Sequence, residues 1–488
     1  MIEKVLAIDL GASSGRAITG TFDGEKITIE EVHRFLNNPV TVRGTIYWDV
    51  LRLFHEIKQG ISAAGKDFTG IGIDTWGVDF GLLDKEDRLL ENPVHYRDTR
   101  TAGVPEKCFE IIPKKHFYDL TGIQFMDLNT VFQLRSLAEN RPDLLERADK
   151  LLFMPDLLAY MLTGVANTEY SIATTSQLVD IRTGDWCGEV FEKLGIPQRI
   201  MGKINMPGTV VGEPDEQIKE ECGIPDGVKV ISVCGHDTQS AITAVPASEK
   251  DFAFISSGTW SLFGTETDEP VVNDTSFNLN ITNEGGCEGK TGFLKNITGL
   301  WLIQESRRHW MRHGENYSYA DLEKMALECE PFKCFIDPDA PEFVPMGNIP
   351  GRVREYCRRT GQYVPETVGE VVRCIYESLA LKYRQVFAML KECTGKDYPC
   401  IHVIGGGVKD GFLCQLTASS CKVPVKAGPI EATVLGNIAV QFIAKGVIKD
   451  VSQARQIIAN SENIKEYLPE ETEKWDEAAE RFGRIINK

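Results

Sequence analysis

The chain has 488 residues, more than one core of ordinary size accommodates, so two or three domains are expected. Hydrophobic residues make up 42% and charged residues 25%, ordinary for a globular protein. A net charge of −18 argues against a nucleic-acid or anionic-membrane surface, which needs a basic footprint, but not against one nucleotide held in a local pocket.

In chain order, residues 4–10 read as a buried strand ending at Asp9-Leu10-Gly11-Ala12-Ser13-Ser14-Gly15-Arg16. Strands over 16–21 and 26–34 follow, with Asp23-Gly24 as a hairpin turn. A glycine turn between strands differs from the Rossmann and Walker patterns, where the loop opens a helix, and no G-x-x-x-x-G-K-[ST] occurs. Residues 48–60 have helical spacing, and 71–84 read as two strands carrying Asp74 and Asp79. Acids in such a run need partners, structural or functional. Helices are expected over 128–140 and 142–163, the second stopped by Gly164. The Thr-, Ser- and Asp-rich stretch 167–185 is expected on the surface, and 207–212 reads as a turn and short strand.

Residues 230–261 form the centre of the pattern. One apolar run ends at Gly235-His236-Asp237, the next at Ser256-Ser257-Gly258-Thr259. A carboxylate leaving a buried strand suits a general base, and a Ser/Gly/Thr turn offers N–H groups and hydroxyls to phosphate oxygens. With the similar turn at 9–16, this suggests two lobes facing each other across a nucleotide. Further on, 282–286 reads as a polar turn, and 294–301 as the start of a helix running through Gln304 and Arg308. A long helix over 364–393, a strand over 401–404 ending in Gly405-Gly406-Gly407, and helices over 411–420 and 433–444 precede a helical tail.

The start lacks signal-peptide organisation and no apolar run spans a bilayer, so a cytoplasmic protein is expected. The 13 cysteines include no Cys-x-x-Cys pair, which favours reduced thiols over a zinc site or full disulfide framework. His309 and His313 lack the intervening Glu of a metalloprotease helix, and no G-x-S-x-G elbow occurs. Asp74 and Asp79 leave a glycosidase open, because carboxylate separation is not readable from sequence.

Taken together, these motifs resemble the FGGY carbohydrate kinases over roughly residues 4–450. Residues 9–16 are similar to that family's first phosphate loop, 256–260 to its second, 405–407 to its adenosine-side loop, and 235–237 to the segment bearing its catalytic Asp. Residues 74–80, 121–125, 282–286 and 295–297 resemble the branch acting on L-rhamnulose.

The resemblance implies an α/β fold of two actin-like (ribonuclease H-like) lobes, with mixed sheets flanked by helices and ATP and sugar in the cleft. The expected domains are 1–244, 245–450 and a helical tail 451–488 packing on the first lobe. It implies ATP-dependent phosphorylation of L-rhamnulose at C1 with Mg²⁺, in L-rhamnose breakdown. Asp237 is the implied base. Ala12, Ser13, Ser14, Gly15, Arg16, Thr259, Gln304 and Gly406 are implied for ATP, and Asp9 for Mg²⁺ through water. Gly81, His236, Asp237, Thr238 and Asn296 are implied for the sugar. A monomer or small homo-oligomer is expected. Open alternatives are a kinase of the same family for L-fuculose, L-ribulose or D-xylulose, an actin- or chaperone-type ATPase, and a silent sugar sensor.

Overall fold

The computed structural model describes residues 2–486. The chain forms two compact units, each discontinuous in sequence. The first comprises Met1–Ser248, Glu266–Phe293 and Ala432–Glu462; the second comprises Glu249–Thr265, Leu294–Glu431 and Asn463–Lys488. No helix among the described residues is long and apolar enough to cross a membrane.

The first unit is built on a six-stranded mixed sheet. Its order is Thr209–Gly212, Lys229–Ser232, Gly70–Thr75, Glu3–Leu10, Ser14–Phe22, Ile27–Leu36. The first strand is antiparallel to Ser14–Phe22 and parallel to Gly70–Thr75. Both faces of its central part are covered, which explains the unbroken apolar run from Val5 to Ile8. On one face Leu6, Ile8, Leu10, Ile71 and Ile73 join a core with Trp48, Leu53, Ile57 and Ile61, the last three from the helix Val50–Ala63. The helix Ala432–Ala444 covers the other face. It comes so close that a Cβ on Gly72 would lie 2.4 Å from Asn437 Oδ1. The same helix presses on Asp237–Thr243: a Cβ on Gly436 would meet the Ser240 carbonyl oxygen at 1.8 Å.

A buried polar knot sits beside this core. Asp79, fully buried, accepts hydrogen bonds at Oδ2 from Trp48 Nε1 (2.6 Å), Trp76 Nε1 (3.0 Å) and Tyr96 N–H (3.1 Å). Gln133 Nε2 donates to Oδ1 at 3.1 Å. Burial pushes the Asp79 carboxyl up to about 6, against the pull of the Trp48, Gln133 and Trp76 donors, so it is ionised at neutral pH. Trp48 packs 3.9 Å from Trp76 and stacks on His95 at 4.1 Å; burial pulls the His95 imidazole down to about 4, so it stays neutral. The acid in this run is thus satisfied by four donors from four segments.

The second unit repeats the antiparallel-then-parallel pattern. Ala253–Ser257 is antiparallel to Trp260–Thr267 and parallel to Ile401–Ile404, which is parallel to Val425–Ala427; Lys465–Tyr467 closes the edge. Its long helix Val368–Thr394 starts in a capping box, Thr367 with Glu370, and ends at Gly395 with φ 67°.

Four local expectations change. Residues 142–163 are not one helix but a helix Pro142–Arg147, a strand Lys150–Phe153 and a helix Met154–Thr163. Pro155 has no N–H and restarts the helix in its first turn, while Lys150–Phe153 pairs with Phe80–Leu83. Residues 167–185 largely go inside: Glu169, Ser171, Ser176 and Gln177 are buried, their polar atoms engaged largely with backbone and with one another. Thr282–Gly285 is a strand rather than a turn, and Thr291–Thr298 is a strand, so the helix begins only at Trp301. The tail is two helices, Val451–Ser461 in the first unit and Thr472–Ile486 in the second, separated by the strand Lys465–Tyr467.

Replacing Gly436 by Ala is expected to destabilise the protein by about 1–3 kcal/mol in urea melts, because backbone rather than a flexible side chain meets the added methyl. Asp79→Ala would leave four donors without their acceptor and is expected to cost about 3 kcal/mol or more in the same assay.

Candidate active site

The turn that ends the strand Lys229–Ser232 is held from three sides. Gly235 N–H donates to Glu169 Oε2 at 2.9 Å, its carbonyl accepts from Thr75 N–H at 2.9 Å, and His236 N–H donates to Ser171 Oγ at 3.2 Å. Only glycine fits at 235, since a Cβ would sit 2.9 Å from Glu169 Oε2 and 3.0 Å from Pro155 Cγ. Asp237 opens the following helix with 32% of its side chain exposed, so its carboxylate is reachable from solvent. Thr238 Oγ1 donates to Asp237 Oδ1 at 3.2 Å.

Electrostatics set the protonation states around it. Enclosure raises the Asp237 carboxyl above the ordinary 3.8; the His236 charge opposes this and the Asp9 charge adds to it. His236 Nδ1 lies 3.1 Å from Glu284 Oε2, a close ion-pair contact without hydrogen-bond geometry, and Nε2 lies 3.6 Å from Asp237 Oδ1. Burial disfavours a charged His236, yet the Glu284 carboxylate outweighs it and the imidazole is raised above 6.5. Asp74, fully buried, is raised well above 3.8 by burial and then by the Asp9 charge; Asn437 Nδ2 donates to it at 2.6 Å. Asp9 pairs with Arg16 directly across the antiparallel ladder.

Between Asp9 and Arg16 the chain makes a tight turn. Gly11 N–H donates to Ser14 O at 2.9 Å, and buried Asn37 clamps the loop, its Nδ2 donating to Gly11 O at 2.9 Å and its N–H to Ser13 O at 3.1 Å. The amides of Ala12 and Ser13 have no acceptor among the described residues, the condition for an anion-binding nest. Gly15 is required by packing, because a Cβ would enter the Phe35 ring at 2.2 Å.

The second unit carries a separate constellation. Thr259 Oγ1 donates to Gln304 Oε1 at 3.2 Å, and the Gly258 and Thr259 carbonyls accept from Leu300 and Trp301 N–H, so the turn is tied to the helix Trp301–Arg312. The triple glycine divides its work. Gly405 has φ 84°, and a Cβ on Gly407 would lie 2.0 Å from Ser257 Oγ, whereas around Gly406 nothing lies within 4 Å of the Cβ position. Gly406 therefore offers bare backbone to open space. Asn296 is half-buried on the strand Thr291–Thr298.

Of the residues singled out from sequence, the first unit gathers Asp9, Ala12, Ser13, Ser14, Gly15 and Arg16 at one turn and His236, Asp237 and Thr238 at another. The second unit joins Thr259 to Gln304. Gly81 pairs with Leu152 in a buried ladder, and a Cβ there would lie 2.7 Å from Leu157 Cδ2. The glycine beside His236 is Gly77, whose Cβ position is 3.4 Å from His236 Nε2. Sequence reading also passed over Glu169, Ser171, Asn37 and Glu284. Their signal was present only as polarity in segments read as loops.

Residues 4–244 match the model of the FGGY family of carbohydrate kinases, N-terminal domain, and residues 253–445 its C-terminal domain. The chain is 45% identical over 489 aligned residues to the Rhamnulokinase of Bacteroides thetaiotaomicron, covering 100% of both chains. It is 38% identical to the Rhamnulokinase of Bacillus subtilis, covering 96% of each. Among solved structures, ligand-bound xylulose kinase from Lactobacillus acidophilus superposes with a TM-score of 0.83 at 17% identity, covering 99% of this chain and 98% of that one. Plasmodium falciparum glycerol kinase with ADP superposes at 0.79 and 14% identity, covering 100% of this chain and 98% of that one; likenesses this remote speak for the fold alone. With both halves matched and full-length relatives in hand, this chain belongs to the FGGY family of carbohydrate kinases.

Proposed function

We propose that this kinase phosphorylates L-rhamnulose at its C1 hydroxyl with ATP, giving L-rhamnulose 1-phosphate and ADP, as a cytoplasmic step in L-rhamnose breakdown. The observation that carries the substrate is the 45% identity, end to end, to a protein named Rhamnulokinase. In this reading the first unit supplies the sugar side, the first phosphate loop and the base, and the second unit the nucleotide side.

Phosphoryl transfer requires an aligned hydroxyl, charge stabilisation on the γ-phosphate and a proton acceptor. Asp237 takes the proton of the C1 hydroxyl as the new O–P bond forms, and its raised pKa brings its basicity nearer the working pH. His236, Thr238, Asn296 and the backbone at Gly81 bind sugar hydroxyls, a polar set that suits a neutral polyol. The free amides of Ala12 and Ser13, with Ser14, Gly15 and Arg16, bind phosphate oxygens. Thr259, Gln304 and the open backbone of Gly406 serve the nucleotide in the second unit. Asp9 offers a hard oxygen donor beside two further carboxyls, a donor set that fits Mg²⁺, probed here by Arg16 engaging one Asp9 oxygen. When bound, that ion would neutralise phosphate charge. Asp74, fully buried and anchored by Asn437, lies behind Asp9, and its carboxyl is held well above the ordinary range by burial.

Three outcomes are expected. ADP release in Mg-ATP is stimulated by L-rhamnulose and not by L-fuculose, L-ribulose, D-xylulose or glycerol; turnover with another sugar alone would replace the substrate, and sugar-independent ADP release would favour an ATPase. Asp237→Asn lowers kcat by about a hundredfold or more, read from initial rates at saturating substrates. The rate falls as pH drops through the Asp237 pKa, which protonates the base, so the acidic limb lies above 3.8. In His236→Gln that limb moves to higher pH, because the cation that lowers the Asp237 pKa is gone; an unmoved limb would separate His236 from the base.

A further inference from the structure

At the end of the strand Ile401–Ile404 opposite to Gly405-Gly406-Gly407, three side chains of different chemistry meet: Glu249, Cys400 and His402. The kinase chemistry uses none of them. Cys400 and His402 lie two apart along an extended stretch, and Glu249 comes from the segment leading into the neighbouring strand Ala253–Ser257. His402 is fully buried and Cys400 is 3% exposed, while the Glu249 side chain keeps 26% of its surface and so leaves a way in from solvent. Glu249 and Cys400 are 151 residues apart, which hides the cluster from any motif search.

The spacing of the donor atoms carries the argument. His402 Nε2 lies 3.6 Å from Cys400 Sγ and 3.6 Å from Glu249 Oε2, and Cys400 Sγ lies 3.9 Å from Glu249 Oε1. Zinc bonds of about 2.3 Å to sulfur and about 2.1 Å to nitrogen or oxygen, at tetrahedral angles, set sulfur about 3.6 Å from either lighter donor and nitrogen about 3.4 Å from oxygen. Sulfur, nitrogen and carboxylate therefore already mark one face of a coordination tetrahedron, with only small shifts needed to close on an ion. Lys426 and Glu466 are the charged neighbours. Lys426 stands opposite His402 in the parallel ladder and donates to Glu249 Oε1 at 2.7 Å, leaving Oε2 turned to the imidazole. With 30% of its side chain exposed, Lys426 can turn to Glu466, which faces it across the next strand pair and is exposed.

The donor set selects the ion. Mg²⁺ takes oxygen ligands, so the cation of the kinase reaction does not suit this place, whereas one thiolate, one imidazole and one carboxylate are a borderline-soft set that fits zinc. We propose that Glu249, Cys400 and His402 bind a zinc ion through one carboxylate oxygen, Sγ and Nε2, with water as the fourth ligand. Binding replaces the S–H bond of Cys400 by S–Zn and releases that proton to solvent, with no change of oxidation state. The thiolate and the carboxylate together match the two charges of the ion, so the bound centre is neutral and Lys426 pairs with Glu466. Because Glu249 lies on a different segment from the other two ligands, zinc ties that segment to the strand Ile401–Ile404 and stabilises the folded form.

The test is zinc binding by the full-length, reduced protein, read by competition with a chromophoric pyridylazo chelator in buffer containing Mg²⁺. One equivalent is expected to bind the wild type and to be held about tenfold or more weakly by Glu249→Gln and by Cys400→Ala. Glu249→Gln keeps the size of a partly exposed side chain, so it reports even where the buried Cys400→Ala disturbs packing. Lys426→Gln removes the ammonium that competes for the carboxylate and is expected to bind zinc at least as tightly as the wild type. X-ray absorption at the zinc edge of the unmutated protein, loaded with one equivalent, is expected to show one sulfur neighbour among nitrogen and oxygen. Equal affinity in the wild type and both ligand variants, weaker binding by Lys426→Gln, or a shell with no sulfur or more than one would overturn the proposal.

Discussion

The hydrogen bond from Gly235 N–H to the buried Glu169 carboxylate is the constraint on which the turn carrying Asp237 depends. Glu169 also accepts from Ser171 N–H, Ser171 Oγ and Ile172 N–H, so one acid organises a whole polar segment and couples it to the end of a sheet strand. Ser171 passes this order on by accepting from His236 N–H. Burying a carboxylate is costly unless its lone pairs are filled, and here they are filled by the groups that must be positioned. The direction in which Asp237 leaves its strand is therefore set by hydrogen bonds from a segment more than sixty residues earlier.

A second level of order is electrostatic. Asp9, Asp74 and Asp237 come from three elements, and the Asp9 charge adds to burial in raising the other two carboxyls. Burial raises Asp74, Arg16 pairs with Asp9, and His236 with Glu284 behind it moderates Asp237. The result is three carboxyls in three settings: one ion-paired, one fully buried and one at the start of a helix with part of its side chain exposed. The same residue type behaves differently because its surroundings differ, and the surroundings are supplied by Asn437, Arg16 and Glu284 rather than by the acids themselves.

The glycines show how close packing and function separate. Gly15, Gly235, Gly407 and Gly436 are glycines because a neighbour occupies the Cβ position, respectively Phe35, Glu169, Ser257 and Ser240. Gly406 has open space instead. In a sequence these look alike, and the middle residue of a Gly-Gly-Gly run is set apart from its neighbours only by what fails to contact it.

Strand identity and the punctuating turns were legible in the sequence, because period-two and unbroken apolar runs report local burial directly: Glu3–Leu10, Ser14–Phe22, Gly70–Thr75 and Ile401–Ile404 all lie where their apolar residues put them. So were the phosphate-type turn after Asp9 and the exposed acid at Asp237, since both are local consequences of a strand ending in Gly, Ser or Asp. Tertiary structure alone decided the rest. Residues 142–163 have helix-like apolar spacing, but pairing with Phe80–Leu83 and the missing N–H of Pro155 make a strand in their middle. The polar stretch 167–185 looks like surface by composition, yet its side chains satisfy one another and can therefore be buried. Gly77 lies beside His236, a neighbour that its place in the run 71–84 does not reveal. Local sequence determines which backbone shapes are cheap; which polar groups find partners, and hence which segments go inside, depends on contacts up to hundreds of residues apart.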